Sequence, residues 1–218
     1  RVWNVLPSGI AFGLVLALVA GAAFLAVLQR AVALAVLGFV GGYLAPVLIS
    51  TGSGNHIALF TYYALLNAAV FGIAWVRAWR PLNLIGFAFT FAIGTLWGAR
   101  SYRPEHFSTV EPFLVLFFVF YVAIAVLHAL RSSGAKRGFV DGTLVFGTPL
   151  LAFPLQAAML ADDRMLLAYS ALAVALLYAA LATWLIRRLD LGLLGQSFAA
   201  LAVGFATLAI PLALSARW

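Results

Sequence analysis

The stretch GGYLAPVLISTGSGNH, residues 41–56, decides the fold because it starts inside an apolar run, meets a proline and leaves through a polar turn. Pro46 has no N–H and its ring crowds the preceding turn, so a regular helix cannot pass through it unchanged. Gly41 and Gly42 allow a bend or a close backbone approach. In a bilayer the freed backbone groups must find partners in protein or trapped water. We therefore expect this stretch to face protein or a cavity, and not lipid.

The composition places the chain in the membrane class. Hydrophobic residues make up 66% of the 218 residues and charged residues only 9%, whereas soluble domains are roughly half apolar and one quarter charged. The sequence has no cysteine, which excludes disulfides and thiolate metal sites. The formal charge of +7 is explained by basic residues at the ends of membrane spans. We therefore expect the lipid bilayer as a partner, and no nucleic acid.

The apolar runs predict an all-α fold. A helix needs about 20 mostly apolar residues to cross a bilayer, and eight segments of the sequence meet this length approximately. The turns between them are short, so consecutive helices should be antiparallel neighbours. We predict a polytopic transmembrane helical bundle that forms one domain over residues 1–218. The predicted spans are 8–28, 31–50, 57–76, 82–99, 112–130, 143–161, 165–186 and 193–215.

The distribution of basic residues predicts the orientation. Five of the 13 Lys and Arg residues fall on the side that holds residue 1, and eight fall on the other side. Since cytoplasmic turns carry the excess of Lys and Arg, both ends of the chain should face outward from a bacterial inner membrane. The sequence begins without Met and ends directly after an apolar run, so we expect it to be a section of a longer protein.

Spans two and six are the two that we expect to be interrupted by Gly and Pro. Interrupted helices at matching places in the two halves of a chain often mark the substrate site of a transporter. Packing kinks are the alternative, because prolines are common in membrane helices. An amide near mid-membrane, such as that of Asn67, should hydrogen-bond to another helix. The residues that would line a cavity are Tyr43, Pro46, Asn67, Pro149, Pro154 and Gln156.

Small residues recur every four positions in the first and fourth spans. This spacing puts them on one helix face, where small side chains allow helices to approach closely. We interpret both faces as packing seams. Their members are Gly9, Gly13, Ala17 and Gly21 in the first span, and Gly86, Thr90, Gly94 and Gly98 in the fourth.

A polar cluster is predicted on the outer face, mostly in the turn over residues 100–111. Glutamate and histidine side chains can bind zinc or transfer protons, but no H-x-x-x-H spacing is present. A solvated turn with local ion pairs is the alternative. We therefore assign no metal, no cofactor and no catalytic residue. The cluster consists of His56, Arg103, Glu105, His106 and Glu111.

Four runs of the sequence resemble a family of large bacterial membrane proteins known as domain of unknown function 2339. The longest is GGYLAPVLISTGSGNHIALFTYYALLN, residues 41–67, and the others cover residues 77–98, 102–118 and 141–156. The resemblance implies a longer parent protein with more spans. It implies no activity and no catalytic residue.

Three functions are compatible with these patterns. The first is a transport or flipping module for a neutral or lipid-like cargo, because no charged residue lies in mid-span to couple ions. The second is a membrane scaffold that assembles with other spans of the parent chain or with other membrane proteins. The third, which we favour least, is an envelope enzyme that uses the outer-face Glu/His turn.

Overall fold

The computed structural model describes residues 8–49, 55–77, 79–131, 142–189 and 191–216. These residues form eight α-helices and a short 3₁₀ turn, Pro104–His106, with no strand in the described ranges. The all-α prediction is confirmed, and each predicted span corresponds to one helix. The helices are α1 Ser8–Gln29, α2 Val32–Ile49, α3 His56–Val76, α4 Arg80–Ser101, α5 Phe107–Arg131, α6 Gly142–Met159, α7 Arg164–Leu189 and α8 Gly192–Ser215.

Six of the described helices, α3 to α8, are long and apolar enough to cross a membrane. The apolar segments described for α1 and α2 are shorter, with at most 17 residues each. Large apolar side chains cover the outside of the molecule, such as Leu48 at 78% and Leu18 at 73% exposure. A surface of this kind is stable only against lipid or other protein, because burial of apolar area is the main favourable term in water.

The helices pack in two groups. Helices α1 to α6 share a common core, in which α1 packs on α2, α2 packs on α4 and α3 packs on α5. Helices α7 and α8 pack mainly on each other as a hairpin. The ring of Phe118 in α5 meets the ring of Tyr178 in α7 edge to face, with centroids 6.0 Å apart. This contact extends the common core to the hairpin.

The expected interruptions take the form of prolines inside continuous helices. Helix α2 runs unbroken through Pro46, and α6 runs unbroken through Pro149 and Pro154. The helices therefore lose hydrogen bonds at these places without losing their helical path. Pro46 and Pro149 are buried, whereas Pro154 is exposed.

Two tyrosines of α3 compensate for the proline of α2. Pro46 cannot donate to the carbonyl of Gly42, four residues earlier, and the Tyr62 hydroxyl donates to that oxygen at 2.8 Å. The Tyr63 hydroxyl donates to the neighbouring carbonyl, that of Tyr43, at 2.8 Å. The expectation that this stretch faces protein is confirmed for Gly42, Tyr43, Ala45 and Pro46, which are buried, and is wrong for Gly41, Val47 and Leu48, which are exposed. Residues 50–54 lie outside the described ranges.

The two predicted seams of small residues differ in their burial. In α4, Gly86 and Thr90 are buried at helix contacts. In α1 no described helix packs on the seam, because Gly13, Ala17 and Gly21 are all exposed. Spacing alone puts small residues on one face, but it does not say whether another helix covers that face.

Candidate functional site

A closed polar network lies at the centre of the bundle, with the Asn67 side chain as its hub. Asn67 Oδ1 accepts from the Tyr43 hydroxyl at 3.0 Å and from the Tyr121 hydroxyl. Asn67 Nδ2 donates to the Tyr63 carbonyl at 2.9 Å and to Thr90 Oγ1 at 2.8 Å. The hub thus joins α2, α3, α4 and α5, and the expected interhelical bond of Asn67 is confirmed. Asn67, Tyr43 and Tyr121 are each 0% exposed.

Gly86 makes room for this network. A β-carbon at Gly86 would lie 2.9 Å from the Tyr121 hydroxyl oxygen and 3.1 Å from that of Tyr43. The Tyr43 ring is held by stacking, with centroids 5.7 Å from Tyr63 and 5.5 Å from Phe89. The centre of the bundle is therefore a packed and hydrogen-bonded frame.

Two apolar clefts flank α5 and α6 in the half of the bundle that holds the α4–α5 turn. The first has a volume of about 280 Å³ and lies between α4, α5 and α6, with Phe60 of α3 at its edge. Gly94 and Gly98 both line this cleft. A β-carbon at either position would meet no atom within 4 Å. Half of the predicted α4 seam therefore opens a cleft instead of closing a contact. The other lining residues are Thr90, Phe91, Thr95, Trp97, Ala99, Tyr102, Val110, Phe113, Leu114, Phe117, Leu155, Ala158 and Met159.

The second cleft has a volume of about 310 Å³ and lies between α5, α6, α7 and α8. Val115 and Val119, on its α5 side, are about half exposed, so the cleft opens towards the surroundings of the bundle. Leu114 lines both clefts. The remaining lining is mostly apolar, and consists of Glu111, Phe118, Pro149, Ala152, Phe153, Gln156, Ser170, Ala173, Val174, Leu177 and Phe205.

Three polar side chains meet in the second cleft. Gln156 Nε2 donates to Glu111 Oε1 at 2.7 Å and lies 3.4 Å from Ser170 Oγ. Ser170 Oγ donates to the Leu166 carbonyl at 3.0 Å. The sequence assigned Gln156 and Glu111 to two different groups, and it did not single out Ser170. The available signal was the alternation of the helices, which puts all three at the same end of the bundle.

The predicted outer-face cluster divides into separate parts. His56 Nε2 lies 2.9 Å from Thr109 Oγ1, and the rings of His56 and His106 are 4.5 Å apart. Glu111 bonds to Gln156, while Arg103 and Glu105 are exposed. Among the described residues no group of three His, Asp or Glu side chains is arranged to hold a metal ion.

Tyr102 connects the α4–α5 turn to the end of α6. Its hydroxyl donates to the Met159 carbonyl at 3.3 Å. Burial raises the pKa of the Tyr102 phenol, and the nearby Glu111 carboxylate adds to this rise. The phenol therefore stays protonated and can donate at neutral pH.

The residues predicted to line one cavity occupy three environments. Pro149 and Gln156 line the second cleft. Tyr43, Pro46 and Asn67 are buried in the packed centre and line neither cleft, and Pro154 is exposed on α6.

A family model described as a predicted membrane protein, DUF2339, matches residues 1–218. The chain therefore belongs to this family. No curated protein and no solved structure matches the chain.

Proposed function

We propose that this member of the DUF2339 family is a membrane module that binds a lipid-like molecule beside α5 and α6 and moves it along them. The observation that supports the proposal is the pair of apolar clefts on either side of the α5–α6 contact, in the same half of the bundle. The closed network around Asn67 would serve as the rigid frame for this movement.

The size and lining of the clefts support an apolar ligand. Their volumes of about 280 and 310 Å³ lie near the lower end of the roughly 300–1,000 Å³ found for small-molecule sites. The described residues that line them include one charged side chain, that of Glu111. An acyl chain would leave lipid for such a cleft at little cost, since neither environment offers hydrogen bonds to it.

Filling the first cleft tests the proposal. The chain is reconstituted into phosphatidylcholine vesicles that contain a phosphatidylcholine with a fluorescent head group, and flipping is followed with an impermeant reductant. Leucine at Gly94 and Gly98 should slow flipping about tenfold, equivalent to a barrier about 1.4 kcal/mol higher. Gly72→Leu is the matched control, because a β-carbon there also meets no atom within 4 Å and Gly72 lies outside both clefts.

Two outcomes would overturn the proposal. One is flipping no faster than in protein-free vesicles. The other is equal slowing by the cleft-filling pair and by Gly72→Leu, since the effect would then come from leucine on any helix face.

A scaffold is the second candidate, and the exposed small-residue face of α1 favours it. Gly13, Ala17 and Gly21 are exposed on one face, where another helix could approach closely. If this face docks a further span, leucine at Ala17 and Gly21 should abolish cross-linking of the chain to its neighbours in the native membrane. Unchanged cross-linking would contradict the scaffold.

The outward orientation of the clefts remains a prediction from the basic residues. The chain has no cysteine, so Ser101→Cys at the cleft end and Gln29→Cys at the other end can each be labelled alone. Both positions are exposed. We expect an impermeant maleimide added outside to label Ser101→Cys, and the reverse result would invert the orientation.

A further inference from the structure

We propose that Glu111, Gln156 and Ser170 form a head-group subsite that selects amphipathic molecules whose polar heads donate hydrogen bonds. The inference rests on the proposed function, because the apolar part of the same cleft would hold the tail. The head chemistry that fits is an ammonium group or a set of hydroxyls, and an anionic head does not fit.

The polar and apolar parts of the second cleft lie at opposite ends. Helix α5 runs away from the α4–α5 turn, α6 returns and α7 runs away again. Glu111 is therefore the lining residue of α5 nearest that turn, and Gln156 and Ser170 are at the same level in α6 and α7. The other lining residues continue towards the middle of the bundle, as far as Leu177. An amphipathic molecule would thus have its head near the membrane surface and its tail in the hydrocarbon region.

In the subsite the N–H and O–H donors of Gln156 and Ser170 are already hydrogen-bonded, whereas acceptor oxygens remain free. An ionised carboxylate only accepts, so Gln156 must present its N–H₂ group to Glu111, as the 2.7 Å contact shows. The same amide nitrogen faces Ser170 Oγ, and the Ser170 hydroxyl donates to the Leu166 carbonyl. The remaining capacity is that of Glu111 Oε2 and Gln156 Oε1, both acceptors. A ligand that completes these bonds has to bring donors.

The charge of the subsite favours the same ligand. No ion pair joins Glu111 to a basic side chain among the described residues, and the only charged side chain in the described lining is its carboxylate. In a cleft of low polarity a negative charge attracts a cation and repels an anion more strongly than it does in water. The ionised oxygens of an anionic head would also bring no donor to these acceptors.

A competition experiment in phosphatidylcholine nanodiscs tests the subsite. A fluorescent monoacylglycerol is displaced from the 218-residue chain by single-chain lipids of equal tail length: sphingosine, unlabelled monoacylglycerol and lysophosphatidic acid. Sphingosine and monoacylglycerol should bind about tenfold or more tightly than lysophosphatidic acid, as expected for bonds to a charged acceptor.

Substitution of the carboxylate should change the selectivity. Glu111→Gln keeps an acceptor for Gln156 but removes the negative charge, so we expect sphingosine to lose more affinity than monoacylglycerol, with the fold intact. Glu111→Leu combined with Gln156→Leu should remove the preference for both donor-bearing heads over lysophosphatidic acid. Glu105→Gln is the matched control, because Glu105 is exposed in the same connection and does not line the cleft.

The outcomes separate the subsite from the proposed function. If the probe binds but the three lipids compete equally, or if Glu111→Gln and Glu105→Gln behave alike, the subsite is overturned and the cleft stands. Ala173→Phe fills the second cleft. If it leaves binding of the probe unchanged, the probe does not bind in this cleft, and the proposed function is overturned for the second cleft.

Discussion

The proline of α2 and the prolines of α6 have different neighbours, although both helices contain the same breaking residue in an apolar run. Pro46 is buried, and Tyr62 donates to the carbonyl that it frees. Pro149 lines an apolar cleft and Pro154 is exposed. The difference lies in the neighbouring helix. Where α3 supplies hydroxyls, the proline is part of a closed centre, and where neighbours supply apolar side chains, the proline borders a cleft.

The largest difference in stability is expected between the amide side chain of the packed centre and the amide side chain of the second cleft. Asn67→Leu removes the partner of three side chains on other helices and leaves their hydroxyls buried without it. We expect a loss of about 2–4 kcal/mol, since each interhelical bond contributes roughly 0.6–1.7 kcal/mol and unmet buried groups add to this. Gln156→Leu should cost less than about 1 kcal/mol. Unfolding by sodium dodecyl sulfate in mixed micelles, followed by circular dichroism, measures both. Equal losses of unfolding free energy would mean that the hydrogen bonds of Asn67 stabilise the protein no more than those of Gln156.

The second comparison is between two glycines of α4. Gly86→Ala puts a carbon within 2.9 Å of the Tyr121 hydroxyl and 3.1 Å of the Tyr43 hydroxyl. It should destabilise the protein by about 1–3 kcal/mol, as overpacking does. Gly94→Ala meets no atom within 4 Å, and helix propensity should make it neutral or stabilising by up to about 1 kcal/mol. The same titration checks both, and a costly Gly94→Ala would show that the first cleft is closed.

A double-mutant cycle tests the compensation at Pro46. Tyr62→Phe should cost about 1–2 kcal/mol, because the Gly42 carbonyl loses its donor. In a Pro46→Ala background the new N–H can bond to that carbonyl, so the cost of Tyr62→Phe should fall by about half or more. Additive losses in the cycle would mean that Tyr62 acts through packing alone.

The smallest effect is expected at the exposed proline. Pro154→Ala restores an N–H inside α6 at a position that faces outward. The change in unfolding free energy should lie between zero and a gain of about 1 kcal/mol, because the new N–H can bond to the Leu150 carbonyl. A loss above 1 kcal/mol, about the value of one hydrogen bond, would show that Pro154 packs against a further helix.

Local signals were enough to predict the helices. The lengths of the apolar runs fixed eight segments within a few residues, because a bilayer sets the length that a helix must have. The interhelical bond of Asn67 was also predictable, since an amide in hydrocarbon needs a partner. The identity of its partners was not predictable, because Tyr43, Thr90 and Tyr121 come from three helices far apart in sequence.

The contacts of the candidate site were likewise not predictable from the local sequence. Gln156 and Glu111 are 45 positions apart, and nothing in either local sequence points to the other. In α4 the regular spacing of small residues was visible, but a β-carbon at Gly86 would meet two hydroxyl groups, whereas one at Gly98 would meet no atom within 4 Å.

The sequence by itself determined that this is a membrane protein, which segments form apolar helices and that their amides need partners. These properties follow from composition, run length and the cost of unpaired polar groups, which act locally. Only the tertiary structure decided which prolines are compensated, which small residues are covered and which polar groups share a cleft. Those outcomes depend on the rotation and neighbours of each helix, which packing of the whole bundle sets.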